Sequence, residues 1–276
     1  MANTKEVRKQ IASIKSTRKI TSALEMVAAS KIKKTQEQML RGRPYSEKVK
    51  DVIGHIANSS SEYDHPFYQE REAKTVCYVI VSSDKGLCGG LNTNLFKKVL
   101  VEAAANKEQG VEVSFALIGG KAVTFFGNLG GKILSQVTKM GDKPNPEDLI
   151  GFTKIILDEQ KKNSIDKVIL CSNRFVNTMT QEPTLQQLIP LVNEANEGLS
   201  AGQWDYIYEP EAKTLLDGLL TRYIEALIFQ AVLENGACEQ AAKMIAMKNA
   251  TENAGDLIKE LELSLIHISE PTRPSS

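Results

Sequence analysis

The chain has 276 residues, and its 34 Lys and Arg balance 34 Asp and Glu. That length suits one ordinary domain with an extension or two small domains, and the charge balance argues against a partner chosen by overall charge, such as nucleic acid or an acidic membrane. Four cysteines (Cys77, Cys88, Cys171 and Cys238) without C-x-x-C spacing, beside only three histidines, argue against a metal centre or disulfide framework and for free thiols in a reducing compartment.

The N-terminus lacks an apolar signal core, and no stretch approaches ~20 uninterrupted apolar residues. The charge is segregated, however. Residues 1–50 hold thirteen Lys and Arg against four Glu, so the remainder is net acidic.

The first predicted element is a helix over residues 1–58. Val7, Ile11, Ile14, Thr17, Ile20, Leu24, Val27 or Ala28, Ile32, Thr35 and Met39 recur every three or four residues, close to the 3.5 of a coiled-coil seam. Gly42 and Pro44 interrupt good helix formers, but Val49, Val52, Ile53 and Ile56 resume the period. Some 50 residues at ~1.5 Å each give a rod of about 75–80 Å. Such a helix needs a partner for its apolar stripe. Residues 59–73, including the turn-like "NSSSEYDHP", read as a linker.

From residue 74 to 203 the period changes. "TVCYVIVSS", "VEVSFALIGG", "KILSQVTKM", "DKVILCSNRFVN" and "PTLQQLIPL" read as strands. Between them, Asn94–Lys107, "KAVTFFGNLG" and "NPEDLIGFTKIILDEQKKN" read as helices. The alternation predicts a small α/β domain, Rossmann-like, with a largely parallel sheet.

Residues 204–263 predict a second long helix. Leu216, Leu220, Tyr223, Leu227, Ala231, Cys238, Ala241 or Ala242, Ile245, Leu257, Ile258 and Leu261 trace its stripe. Between Asp205 and Glu262 eleven acidic residues face five basic ones, so this helix complements the first. One helix leaves the domain and the other returns, which predicts a long antiparallel two-helix coiled coil. Counting from the domain end places Ile56 near Glu211, Val27 near Gln240 and Lys5 near Glu262.

One loop could cradle a phosphate. "SSDKGLCGGLN" (Ser82–Asn92) follows a strand and precedes a helix, but its glycines fit neither G-x-G-x-x-G nor G-x-x-x-x-G-K-[ST]. They also suit a tight turn with positive φ. Asp84 and Lys85 could form an active pair, or a solvated turn. Cys88 has no local His or basic cluster to activate it and reads as a packed thiol. A free-standing nucleotide-binding enzyme and a basic-helix nucleic-acid binder are the competing readings. The acidic second helix and the scarcity of aromatics among the basic residues weigh against the latter.

"STRKITSALEMVAASKIKK", "SSDKGLCGGLN", "WDYIYEP" and "EQAAKMIAMKNATENAGDLIKEL" together resemble the gamma subunit of the bacterial F-type ATP synthase, in order, over residues 1–263. The resemblance implies a non-catalytic central shaft that binds no cofactor or metal. It implies that the coil stands inside a ring of alpha and beta subunits, with its domain against epsilon and the membrane-embedded ring of c subunits. Proton flow through the c ring would turn the shaft and drive ATP synthesis on beta. It implies no nucleic-acid partner, and a peripheral place on the cytoplasmic face of the bacterial inner membrane, held there through partners.

The resemblance also assigns residues. Lys19, Ile20, Thr21, Leu24, Met26 and Val27 match the first-helix positions that meet the beta levers, with Leu24 where Met is common. Arg222, Glu239, Gln240, Met244 and Met247 match second-helix positions near the same zone. Lys85, Gly86, Leu87, Cys88 and Gly89 match a loop that touches the base of the catalytic ring. Tyr206, Tyr208 and Glu209 match the foot on the c ring. The family's second helix continues beyond this point, whereas here "LSLIHISEPTR" matches a translated sequencing adapter. Residues 264–276 therefore read as a non-native tail set aside from fold reasoning. The expectation is a nearly whole two-helix coil with a frayed end.

Overall fold

The computed structural model describes residues 4–59, 67–68, 71, 73–191 and 212–269. Tyr206, Tyr208 and Glu209, most of the expected linker, and the tail from residue 270 lie outside the described residues.

Two long helices frame the chain: α1 (Thr4–Ser59) and α5 (Ala212–Ser269). Between them come β1 (Thr75–Val81), α2 (Leu91–Glu108), β2 (Glu112–Ile118), α3 (Gly120–Asn128), β3 (Lys132–Val137), α4 (Glu147–Lys161), β4 (Lys167–Phe175) and β5 (Gln181–Ile189). Every strand and helix anticipated from the sequence is present, and the α/β class with an antiparallel helical coil holds.

The sheet order is β3-β2-β1-β4-β5. β1 pairs parallel with β2 (Thr75 opposite Glu112) and with β4 (Val76 opposite Lys167), and β2 pairs parallel with β3. β5 is the antiparallel exception, folded back from β4 by a tight hairpin.

Helices cover both faces, which is why β1 is an almost unbroken apolar run. On one face Cys77, Val79, Val81, Ala116, Ile118 and Leu170 pack against Leu149, Phe152 and Ile156 of α4 and Leu220, Ile224 and Ile228 of α5. Phe67, from the expected linker, is buried in the same cluster. On the other face Tyr78, Ile80, Phe115 and Leu117 meet Leu95, Phe96 and Val99 of α2 and Ala122 and Phe126 of α3.

α1 continues through Pro44 without a break. Proline donates no hydrogen bond, so the Leu40 carbonyl loses its helical partner there. One residue earlier, the Met39 carbonyl accepts a bond of 3.0 Å from Gln230 Nε2 of α5. Gly42 lets α5 come close: a Cβ there would lie 2.1 Å from Gln230 Oε1. Gln230 thus packs against the turn of α1 that carries Gly42 and Pro44.

The coil's seam is narrow. Ala28, Ala237, Ala241 and Ala254 are buried, so the helices can approach closely. Thr21 and Thr251 share a hydrogen bond of 2.7 Å across it. Val7, Ile11 and Ile258 form the far cluster, with Ile14, Leu261 and Leu265 packed around it.

This register corrects the counted one at the end of the rod. Val27 and Gln240 do line one groove. Glu262, however, pairs with Lys15 at 2.8 Å rather than sitting by Lys5. Thr21 meets a residue between one and two turns further along α5 than counting gives. Side-chain fit sets the register, and counting one residue against one ignores which residues face the seam. Ile20 and Thr17 are not seam residues: both are exposed, and Thr21 and Ala28 take the inner positions. α5 also continues to Ser269, and Leu265 of the set-aside tail packs over Val7 and Ile11. The first turns of α1 are therefore covered partly by residues beyond 263.

Candidate partner interface

The crevice where a Rossmann-like sheet receives a ligand lies at the carboxyl ends of β1 and β4, where the strand order reverses. In this chain α5 fills it. Asn173 Nδ2 at the end of β4 donates to Asn235 Oδ1 at 2.9 Å. Cys238 Sγ donates to the Asn173 carbonyl at 3.3 Å, and the Phe175 N–H donates to Glu234 Oε1 at 3.0 Å. Cys88 and Leu91 of the glycine loop pack on Cys238 from the other side. The cavity remaining between sheet, α1 and α5 measures about 70 Å³, far below the ~300 Å³ of a small ligand pocket.

The glycine loop is held by its own side chains. Asn92 Oδ1 accepts from the Ser83 N–H at 3.2 Å, and Asn92 Nδ2 donates to Ser83 Oγ at 2.7 Å. Asp84 Oδ1 accepts from the backbone N–H groups of Gly120 (2.9 Å) and Lys139 (3.0 Å). The Asp84 carboxylate thus occupies the N-terminus of α3, where an anion would otherwise be favoured. Asp84 acts as a structural carboxylate that ties the glycine loop to α3 and to the β3–α4 loop.

Leu87 sits at φ 67 and Gly89 at φ 58. The first is a left-handed leucine, a costly conformation that leaves its side chain 64% exposed. Cys88 between them is buried, and burial pushes its thiol up, as it does for Cys171 and Cys238; Cys77 is pushed up to about 12. All four cysteines are free thiols. None is poised as a nucleophile.

The sequence-predicted residues fall into distinct settings. Ile20, Met26 and Val27 are 58%, 66% and 50% exposed, and Lys19 is exposed as well. Thr21 and Leu24 are half-buried at the seam. Gln240 and Met247 are buried, and Met244 is half-buried. Glu239 pairs with Lys243 at 2.8 Å.

Leu24, Val27, Lys85, Glu239 and Gln240 line one groove of about 500 Å³ between the coil and the glycine loop. Arg222 does not join them. It bonds Glu225 at 2.8 Å and lies on the rim beside Pro146 and Leu149, some 25 Å down α5 from Glu239.

Two features of this zone were not read from the sequence. Lys31 of α1 pairs with Asp142 of the β3–α4 loop at 2.7 Å, tying rod to domain. The β4–β5 hairpin presents Val176 (45% exposed) and Met179 (75%) beside α5. A lone Asp in a Gly- and Pro-rich loop gives no signal of its partner. In the uncharged "VNTMT" the strand reading runs on to Asn177, and no motif marks Met179.

α5 passes from the sheet face (Leu220–Val232) to the strand ends (Glu234–Cys238) and then leaves the domain along α1. The loops at the carboxyl edge of the sheet therefore collar the coil where it emerges. Among the described residues no helix is long and apolar enough to cross a membrane.

A family model described as ATP synthase matches residues 3–266. The fold is similar to the central stalk with c ring of the Tetrahymena thermophila mitochondrial ATP synthase (TM-score 0.64, 22% identity, covering 84% of this chain and 99% of that one). It is similar also to a rotor chain of the Euglena gracilis mitochondrial ATP synthase (TM-score 0.65, 17% identity, 96% of each chain). With nearly the whole length matched, the chain belongs to the ATP synthase gamma-subunit family.

Proposed function

We propose that this chain is the rotating shaft of an F-type ATP synthase, non-catalytic in itself. Membership of the family carries the coarse function, a central-stalk subunit. In our reading the free coil stands inside a ring of alpha and beta subunits, and the domain meets epsilon and the c ring below. Proton flow turns the c ring and the shaft with it. The shaft then drives the beta subunits through successive states. The complex sits at the cytoplasmic face of a bacterial inner membrane, and the chain reaches that membrane only through partners.

The observation that carries the non-catalytic reading is the filled crevice. Asn235, Cys238 and Glu234 occupy the strand ends where a nucleotide-binding sheet keeps an opening. What supports the shaft reading is the stripe of exposed Ile20, Met26 and Val27 on a rod whose seam is already satisfied. A shaft must also be asymmetric, because a ligand shifts an equilibrium only through differential contacts. The coil supplies this: basic α1 and acidic α5 present different faces to three identical levers.

In this reading Lys19, Ile20, Thr21, Leu24, Met26, Val27, Glu239, Gln240, Met244 and Met247 make the lever contact, with Arg222 apart from them. Lys85, Gly86, Leu87, Cys88 and Gly89 meet the ring's base, and Tyr206, Tyr208 and Glu209 form the foot. The direct test is co-expression with alpha and beta subunits followed by purification on a tag carried by beta. The reading expects a stoichiometric complex with ATPase activity. Alpha and beta that purify without the chain would refute it. Calorimetry of the isolated chain with ATP should give no specific heat, whereas saturable binding would revive the enzyme reading.

A further inference from the structure

The shaft reading assigns one loop, Lys85–Gly89, to the base of the ring. We infer that the β4–β5 hairpin tip, Val176–Thr180, is a second contact with the same ring, an inference that rests on the shaft reading.

Position is the first observation. The hairpin lies at the carboxyl edge of the sheet, the side from which the coil emerges. It shares a concave surface of about 400 Å³ with the glycine loop: Cys88–Leu91 form one wall, Met179 and Thr180 the other, and Ala242–Asn249 of α5 the floor. Gly89 and Ala246 approach closely there, with a Cβ on Gly89 lying 3.8 Å from the Ala246 Cβ. A sleeve that covers Gly89 on this side of the loop therefore meets the hairpin too.

Rigidity is the second. Asn177 and Thr180 exchange two backbone hydrogen bonds of 3.2 Å, closing a two-residue turn over Thr178 and Met179. Asn177 Oδ1 accepts from the N–H groups of Met179 and Thr180, each at 2.8 Å, and Gln181 Nε2 donates to the carbonyls of Asn177 and Thr178. The turn cannot fold its apolar side chains away, so Met179 stands 75% exposed by construction.

Chemistry is the third. From Phe175 to Gln181 the hairpin carries no charge. An ion pair would favour one angular position of a turning shaft over the others. A methionine makes soft, adaptable contacts with changing apolar neighbours. The occupant that fits is a neutral, apolar patch on the underside of the ring, met repeatedly as the shaft turns.

The test uses single cysteines at Met179, Leu87 and Val101 in the full chain, alone and assembled with alpha and beta subunits. Val101 is 70% exposed on α2 and serves as the outward control. The four natural thiols are buried, so background labelling is low. Met179→Cys should react readily with maleimide in the free chain. In the complex its rate should fall roughly tenfold, as for a contact from which water is excluded. A benzophenone-maleimide at that position should photo-crosslink to alpha or beta, while Val101→Cys labels equally in both states. Protection at Leu87→Cys without protection or crosslinking at Met179→Cys overturns this inference and leaves the shaft reading intact. Failure of any complex to form overturns both.

Discussion

In the sheet, Tyr78, Val79, Ile80 and Leu117 are sealed from water by helices on both sides. Along the free coil, Ile20, Met26 and Val27 remain half or more exposed, while Ala28, Ala241 and Ala254 share the buried seam with Val7, Ile11, Met247 and Ile258. The domain uses its large apolar groups to hold one shape. The coil brings two helices together on alanines and a few large groups and leaves other large ones facing out. Burying an aliphatic side chain is worth about 1.5–3 kcal/mol, so covering this outward stripe would favour the lever contact proposed above. The tight region should resist substitution and the open one tolerate it.

The largest expected effect is in the domain. Gly119 sits at φ 96, and a Cβ there would lie 2.2 Å from the Ser82 carbonyl oxygen. Gly119→Ala should destabilise the chain by about 3 kcal/mol or more, read as a shift in a urea unfolding midpoint. A midpoint within error of the parent would break the comparison at its strongest point.

Next comes the joint between the two regions. Asn235→Ala removes the amide that receives Asn173, leaving a buried group unpaired. A loss of about 2 kcal/mol is expected. Hydrogen exchange should speed up at the end of β4 and in α5 around residue 238, with the far coil unchanged. Uniform acceleration over the whole chain would mean that joint and domain are one unit.

The same chemical change should reverse its sign in the coil. At Gly255 the nearest atoms to an added Cβ are those of the Arg18 guanidinium, from 3.6 Å. Gly255→Ala should stabilise the rod by about 0.5–1 kcal/mol through helix propensity. Circular dichroism during heating would register the gain, and a lower melting temperature would contradict it.

The smallest effect concerns Lys31 and Asp142. The Lys31 ammonium, hydrogen-bonded to the carboxylate, holds Asp142 below its ordinary value of 3.8. A lowered folded value means the stabilisation is fully present above the unfolded value near 3.8. It is lost as pH falls through the folded value. The pair is 40% and 60% exposed, so Asp142→Asn should cost only a few tenths to about 1 kcal/mol at pH 7 and less in high salt. In acid, below the folded value, variant and parent should converge.

The elements were legible because each follows from a local period: alternating apolar runs for the strands, three-and-four spacing for the rods. The antiparallel pairing was legible from opposite charge on two helices of matching length. The exact register was not, because Thr21 against Thr251 and Lys15 against Glu262 depend on shapes meeting across the seam. Gly42 interrupts the helix formers for the same reason: the residue it makes room for, Gln230, is far away in sequence. At the interface, Leu87 and Met179 show the limit most clearly. Both are single apolar residues in turns, and only the fold brings their two loops to one edge of the sheet.

The central claim is that the chain turns within a catalytic ring. A bead attached through Val101→Cys, on a complex whose ring is fixed to glass, tests it directly. The account predicts unidirectional rotation of the bead when ATP is added. A ring that hydrolyses ATP while the bead shows only Brownian motion would contradict it.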